Sequence, residues 1–579
     1  MSETTGIGRL GVCTLLYGCA AIGLGLRLAF LHLGPHEELR ASVGRRRQIA
    51  QEIRGERGTI YDRGGRRNIL ATDQRLSDIV ADPLVVLESG RLLDVASELA
   101  TLLDRPVDEL AVRLNRPDRR YARLVRFAED DLVGAVAERE LPGIRFENAY
   151  TRYYPHRSFL CHVLGFVNHE GVGGAGLEQG LHRYLTGTPG RIESMANALR
   201  HELYWKRGHT VAPQPGADVE LTIDQNIQHI VEKVIDELME AHVARGAWVI
   251  VQKIRTGEIL ALASRPAYDL NAFGASTEDE RLNRAIGVVF EPGSTFKIAV
   301  FSAALNDGLV SADTVIDCEN GLWLYANRTL RDVTGYRELT VADGLQKSSN
   351  ILSAKLALKL GDERFEAYLR AFGIGSSLGI DLPGEEHGIL APARTWPRIH
   401  PTRVAIGQGV SVTALQVLGM YSAIANDGFL MRPYVVREVR APDGRVLLRN
   451  EPHVIRAVVQ PRTAAIMTRL LTRVTEPGGT GRRAAIEGIP VAGKTGTAQK
   501  PVAGGYSSTD YIASFAGFLP ADDPELAIVV VIDTPRPVYS GGRVAAPAFQ
   551  VIADEAVRYM GLGLPAGQLV AGAREDTWP

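Results

Sequence analysis

Three short polar groupings carry residue types suited to acyl transfer. Ser294 and Lys297 stand one helical turn apart, Ser348 and Asn350 flank a single residue, and Lys494, Thr495 and Gly496 are consecutive. Side chains three apart on a helix share a face. A hydroxyl and an amine so placed can act as nucleophile and general base, provided the amine is desolvated or held near another cation so that it is neutral. Ser348 can accept and donate a proton, which suits a relay to a leaving amine. Asn350 can donate to a substrate amide carbonyl and help hold Lys297. Lys494 offers a charge for a substrate carboxylate and a field that disfavours the Lys297 ammonium. Thr495 can hydrogen-bond that carboxylate, and Gly496 can let a substrate lie close to the strand. The oxyanion of a tetrahedral intermediate needs two N–H donors, assigned here to the backbones of Ser294 and Thr497.

These side chains need elements to carry them. Pro292-Gly293 breaks the preceding chain, and Phe296, Ile298, Ala299, Val300, Ala303, Ala304 and Leu305 follow as an apolar helical run. Ser294 is therefore expected at a helix mouth, where free N–H groups and the positive end of the dipole favour a developing anion. A simple helix cap would also explain a serine there; the other two groupings decide against it. A helix is expected from Gln225 to Ala244. Ala247–Gln252 and Gly257–Ala263, flanking Arg255-Thr256-Gly257, read as a hairpin of two buried strands. Residues 340–430 read as helices with glycine-marked ends. Ile489–Ala498, Tyr511–Leu519 and Leu526–Asp533 read as strands, and Pro547–Met560 as a closing helix. The order predicts an antiparallel sheet with helices on its faces and a separate helical subdomain, an α+β arrangement.

The chain has 579 residues, a net charge of −2 and 45% hydrophobic residues, which indicates two or three globular domains and no nucleic-acid partner. Its four cysteines form no CxxC and no Cys/His cluster, so neither a metal site nor a disulfide framework is indicated; pairing of Cys161 with Cys318 is left open. Residues 10–33 are apolar apart from Arg27 and long enough to span a bilayer, which takes ~20 residues. A cleaved signal peptide has a shorter core and a basic start, whereas here Arg9 is the sole basic side chain before the run. Leu16–Cys19 fits a lipoprotein cleavage site badly. The expectation is an uncleaved anchor with residues 1–9 as a cytoplasmic tail and the chain beyond about His36 outside. His36–Arg57 is expected to be helical, Arg57–Gly65 with Leu70–Thr72 to form a hairpin, and residues 87–140 to be helical. None of this first part gathers catalytic side chains; His162 and His169 read as packing or surface residues.

Two other chemistries fit parts of the pattern. Gly488–Thr495 matches a P-loop letter for letter, but a P-loop requires a helix beginning at its lysine, and here apolar strand residues lie inside the loop. A β-lactamase shares the three groupings, yet in the class A type it also needs a glutamate-positioned water to clear its acyl-enzyme, for which the chain has no evident counterpart. A D,D-carboxypeptidase would use the same nucleophile with water as acceptor.

Taken together, Ser294-x-x-Lys297, Ser348-x-Asn350 and Lys494-Thr495-Gly496 in this order resemble the motif set of penicillin-binding proteins. The chain resembles a class B penicillin-binding protein over roughly residues 10–560. Glu291–Lys297 is similar to the nucleophile segment of that family. Arg57–Gly64, Arg152–Pro155 and Gly176–Glu178 are similar to its pedestal signatures, and Asn426–Gly428 and Lys494–Gln499 fit as well. Gln346–Asn350 is most similar to the division-type (FtsI) branch; Asp317-Cys318 without a nearby histidine argues against the metal-binding group often found in the elongation branch. The resemblance implies a transmembrane anchor (10–33), an extended α/β pedestal or dimerisation domain (34–215), a transpeptidase domain (216–562) with a five-stranded antiparallel sheet and an all-helical subdomain, and a tail (563–579). It implies peptidoglycan D,D-transpeptidation, with release of terminal D-Ala and acylation by β-lactams. It also implies no cofactor and no metal, stem peptides and lipid II-derived glycan as substrates, and a location on the outer side of the cytoplasmic membrane. A SEDS-family glycosyltransferase and divisome membrane proteins are the implied partners. Elongation-type transpeptidation and carboxypeptidation are the alternatives.

Overall fold

The computed structural model describes residues 5–33, 48–196, 202–203 and 210–562. The expected tail 563–579, the charged stretch 34–47 and residues 1–4 lie outside the described residues.

Two units divide the chain, one comprising residues 1–55 and 188–214, the other residues 56–187 and 215–579. In the first unit the apolar run forms a single helix, α1 (Thr5–Leu33). It opens within the segment expected to be tail. Its span Leu10–His32 covers 23 residues, about 35 Å at the helical rise, and is long and apolar enough to cross a bilayer. Leu10, Leu16, Ile22 and Leu24 are all largely exposed on it. The helix expected over His36–Arg57 is corrected within the described residues. Gln48–Ile53 is a strand, paired antiparallel with Gly190–Ala196 from Gln48↔Met195 to Ile53↔Gly190. A partner strand more than a hundred residues away overrides the local pattern.

The second unit holds two large sheets, of seven and five strands, and three two-stranded ones among the described residues. In the first, the expected hairpin is present: Ile60–Tyr61 pairs with Ile69–Ala81 across a turn at Gly65–Arg67. Ala122–Ala128 and Ile144–Tyr153 flank the long strand on its two edges. The first of these interrupts the stretch expected to be all helix. On the other side Ile60–Tyr61 runs parallel to Asp218–Leu221, which pairs with Val436–Arg440 and so with Val446–Arg449. One sheet thus joins the first part of the chain to the second. The three sequence segments singled out there converge on one buried carboxylate. Glu178 takes Arg57 Nε at 2.5 Å and Arg152 Nε at 2.6 Å, with Asp73 3.4 Å from Arg152 Nη1. Two guanidiniums and two carboxylates balance, which is what allows four charges to be buried together.

The second sheet is five-stranded and antiparallel throughout, in the order β2-β1-β5-β4-β3. These strands are β1 (Gly246–Lys253), β2 (Ile259–Arg265), β3 (Ala492–Val502), β4 (Gly505–Leu519) and β5 (Leu526–Asp533). Its inner strands read as continuous apolar runs because both faces are covered. Val249 and Val251 of β1 pack with Ile227 and Ile235 of α2 (Gln225–Ala241) and with Phe549 and Ile552 of α7 (Ala545–Met560). Trp248 and Ile250, pointing the other way, join the core that contains α3 (Lys297–Asn306) and the wholly buried α6 (Ala414–Ala425). Helices α4 (Val341–Gln346) and α5 (Asn350–Leu360) belong to the helical part beyond. Strand β3, the last of the sheet, has a strand partner on one edge only among the described residues.

Candidate active site

Ser294 lies in a 3-10 turn, Gly293–Phe296, that runs straight into α3. The residue preceding that turn is Pro292 and no side chain caps it, so the helix-cap explanation for Ser294 falls away. Glycines let three backbones meet here. Gly293 has φ +58°, and a Cβ on it would come within 3.1 Å of the Thr497 carbonyl on β3. A Cβ on Gly407 would lie 2.2 Å from the Gly293 carbonyl oxygen. The Gly293 N–H donates to the Gly407 carbonyl at 3.2 Å. Tyr421 on α6 donates its hydroxyl to the Thr295 carbonyl at 2.7 Å, pinning the turn from the core side.

Lys297, the first residue of α3, is fully buried. Its Nζ donates to the Ser348 carbonyl at 2.6 Å, to Ser348 Oγ at 3.1 Å and to Asn350 Oδ1 at 2.7 Å. Burial lowers its pKa to about 7, against the Asp332 carboxylate, which pulls it up. Near neutrality the amine is therefore divided between ammonium and free base. Ser348 has φ +61°, a conformation uncommon outside glycine and concentrated at functional sites. It turns the Ser348 carbonyl and hydroxyl to the same ammonium. Asn350 opens α5; its Oδ1 holds Lys297, and one Nδ2 proton goes to the Arg331 carbonyl at 2.8 Å. An amide nitrogen carries two protons, so one is left for a ligand.

Lys494, on β3, is also fully buried, with Nζ 3.2 Å from the Thr495 carbonyl and 3.4 Å from Thr495 Oγ1. Burial, then the charge of Lys297, push it well below the ordinary lysine range. Its amine lies behind Thr495, off the pocket lining, so any effect of its charge on a substrate carboxylate passes by way of Thr495. A Cβ on Gly496 would meet Ser514 Oγ at 2.3 Å and the Pro292 carbonyl oxygen at 2.9 Å, so the missing side chain also makes room for the Ser294 turn. Lys494 lies inside a continuous strand, and no helix starts at it, which removes the P-loop alternative.

Ser294, Ser348, Asn350, Thr495 and Thr497 line one open pocket of about 470 Å³, backed by the two buried lysines. The three groupings, widely separated in sequence, thus meet in one place. Sequence reasoning missed several of its walls: Val333, Thr334 and Tyr336 on one rim, Gln408 below, and Thr480, which accepts from Thr495 Oγ1 at 3.0 Å. It also missed Asp332, whose carboxylate accepts from the backbone N–H groups of Asn350 and Ile351. These sit in loops with no periodicity to mark them. Cys161 and Cys318 are separate buried free thiols. His162 is buried, its Nε2 is 2.8 Å from the Glu280 carbonyl, and desolvation lowers its pKa to about 4, as suits a packing residue.

Residues 247–554 match the penicillin-binding protein transpeptidase domain, and residues 52–221 the penicillin-binding protein dimerisation domain. The chain is 31% identical to the probable peptidoglycan D,D-transpeptidase PenA of Neisseria meningitidis, over 98% of this chain and 95% of that one. It is 32% identical to the peptidoglycan D,D-transpeptidase FtsI of Escherichia coli, over 95% of this chain and 92% of that protein. Among solved structures, penicillin-binding protein 3 of Mycobacterium tuberculosis in complex with aztreonam superimposes with a TM-score of 0.69 at 29% identity, covering 89% of this chain and 98% of that one. Penicillin-binding protein 2X of Streptococcus thermophilus gives a TM-score of 0.75 at 25% identity, over 89% and 81%. With both domain matches, full-length relatives and a pocket assembled from the three motifs, the chain belongs to the penicillin-binding proteins, as a class B member of the FtsI kind.

Proposed function

We propose that this protein cross-links peptidoglycan stem peptides as a D,D-transpeptidase of cell division, through an ester on Ser294. The observation that carries this reading is the buried Lys297 amine, held near half-protonation at neutral pH beside a partly exposed serine in a pocket lined by Ser348, Asn350, Thr495 and Thr497. In the resting ammonium form its three protons are taken by Ser348 and Asn350. Loss of one proton leaves two N–H donors and a lone pair. The weakest of the three contacts, to Ser348 Oγ, then gives way, and the lone pair is free to accept the Ser294 proton. Lys297 takes the Ser294 proton as Ser294 Oγ bonds to the carbonyl carbon of the penultimate D-Ala. The backbone N–H groups of Ser294 and Thr497 stabilise the oxyanion. The C–N bond to the terminal D-Ala breaks, and the leaving nitrogen receives a proton through Ser348. A stem-peptide amine then attacks the ester and gives a proton to Lys297, and as the oxyanion collapses and the C–Oγ bond breaks, Lys297 returns a proton to Ser294 Oγ, restoring the free hydroxyl and the neutral amine.

The remaining Asn350 N–H suits the substrate amide carbonyl, and the Thr495 and Thr497 hydroxyls suit the terminal carboxylate, with Lys494 contributing its field from behind. β-Lactams acylate the same serine because their strained amide occupies the place of the D-Ala-D-Ala bond. The apolar helix α1 anchors the chain in the cytoplasmic membrane with the pocket on the outer side, and a SEDS-family glycosyltransferase of the divisome supplies the glycan on which it works. Mass spectrometry of penicillin-treated protein tests this: the expected adduct is on the peptide containing Ser294 and is lost in Ser294→Ala. An adduct elsewhere, or rapid turnover of the antibiotic, refutes it.

A further inference from the structure

Asp332 follows the strand Arg328–Arg331, half of a small hairpin with Leu322–Tyr325, and its own N–H is tied to the Gly321 carbonyl at 3.1 Å. Its carboxylate does three things. Oδ1 accepts from Asn350 N at 2.5 Å and from Ile351 N at 3.1 Å, and Oδ2 accepts from Ser349 Oγ at 2.6 Å. Two of the free N–H groups at the start of α5 are thus met by a carboxylate from outside the helix, where the dipole favours it. Ser349 Oγ in turn accepts from Leu352 N at 3.1 Å. The preceding residue, Arg331, holds the side chain of Asn350 through its carbonyl. Of the two residues that grip Lys297, Asn350 therefore sits on backbone clamped by this carboxylate, and Ser348 directly precedes Ser349, whose hydroxyl the same carboxylate holds.

We propose that Asp332 is a positioning residue of the acylation site, fixing the start of α5 so that Asn350 Oδ1 and the Ser348 carbonyl hold the Lys297 amine beside Ser294. This rests on the reading of Ser294 as the acylated serine. The same carboxylate also acts on Lys297 through space, favouring its ammonium form. The groups facing Asp332 from other elements are Lys297 of α3, the buried Cys318 thiol and Lys355 of α5. Lys355 is committed to Glu319 at 2.7 Å and to the Asp317 carbonyl at 2.8 Å. Lys494 faces Lys297 from β3. A negative charge removed from this set disfavours the ammonium of Lys297, so the amine must titrate at lower pH.

The test is the pH dependence of the second-order acylation rate with a fluorescent penicillin, in full-length detergent-solubilised protein. Asp332→Asn and Asp332→Thr both keep an oxygen acceptor for the α5 N–H groups and lose the charge. Both are expected to slow acylation at the plateau, and to move its acid limb down by several tenths to about one pH unit. Ser349→Ala, which keeps the charge, is expected to slow the reaction with the limb in place. An unchanged limb in whichever Asp332 variant folds, or a plateau rate equal to the parent's in both, overturns the proposal. A parent protein that is not acylated at Ser294 overturns the underlying reading instead, before any variant is compared.

Discussion

Gly407→Ala probes whether the close meeting of three backbones sets the rate of the proposed chemistry. The added Cβ would lie 2.2 Å from the Gly293 carbonyl oxygen, 2.8 Å from its carbon and 2.6 Å from its nitrogen. All three are main-chain atoms, so no rotamer change relieves the clash. An ordinary contact needs about 1 Å more, and the turn bearing Ser294 must move by that amount or the loop bearing Gln408 must withdraw. A misplacement of about 1 Å at a reacting group costs on the order of 100-fold in rate. Gly407 also has φ +76°, so alanine adds backbone strain of about 1 kcal/mol. Gly444→Ala separates the two effects: its φ is +88° and no atom lies within 4 Å of the new Cβ. Stopped-flow acylation by a fluorescent penicillin should show Gly407→Ala about 100-fold slow and Gly444→Ala unchanged, with thermal unfolding reporting the strain common to both. A Gly407→Ala protein that folds and acylates within about threefold of the parent would refute the claim that this approach positions Ser294.

Two further outcomes follow from the charges. Because burial brings Lys297 to about 7 and the neutral amine is the base, acylation of the free enzyme should rise about tenfold between pH 6 and pH 8; a rate flat across that range would exclude Lys297 as the base. Glu178→Gln leaves Arg57 and Arg152 buried with Asp73 as the remaining carboxylate of the group. It should cost ~3–5 kcal/mol in denaturant unfolding, and a loss under ~1 kcal/mol would show that water reaches the cluster.

Much of the site was legible because its chemistry is carried by short local patterns. Ser294 and Lys297 are fixed on one turn by three-residue spacing, and Pro292-Gly293 marks where that turn begins. The apolar runs of β1, β4 and β5 and the amphipathic pattern of α2 announce a sheet covered on both faces. Convergence of the three groupings in one pocket could be inferred from a known family resemblance, but not from spacing, since nothing in a strand or helix period specifies which distant loop it meets. The same limit hid Asp332 and Thr480, which act through single hydrogen bonds made from irregular backbone. It also hid that the missing side chain of Gly496 is needed by Pro292 and Ser514, and that the Lys494 amine is turned under Thr495. The segment Gln48–Ile53 shows it most plainly: charge and composition predict a helix, while the strand exists because Gly190–Ala196 offers it an edge. Local spacing, then, is enough to name the reactive pair, because covalent geometry sets it. Burial, pKa and the identity of the pocket's walls belong to the tertiary structure, because they depend on which backbones are allowed to touch.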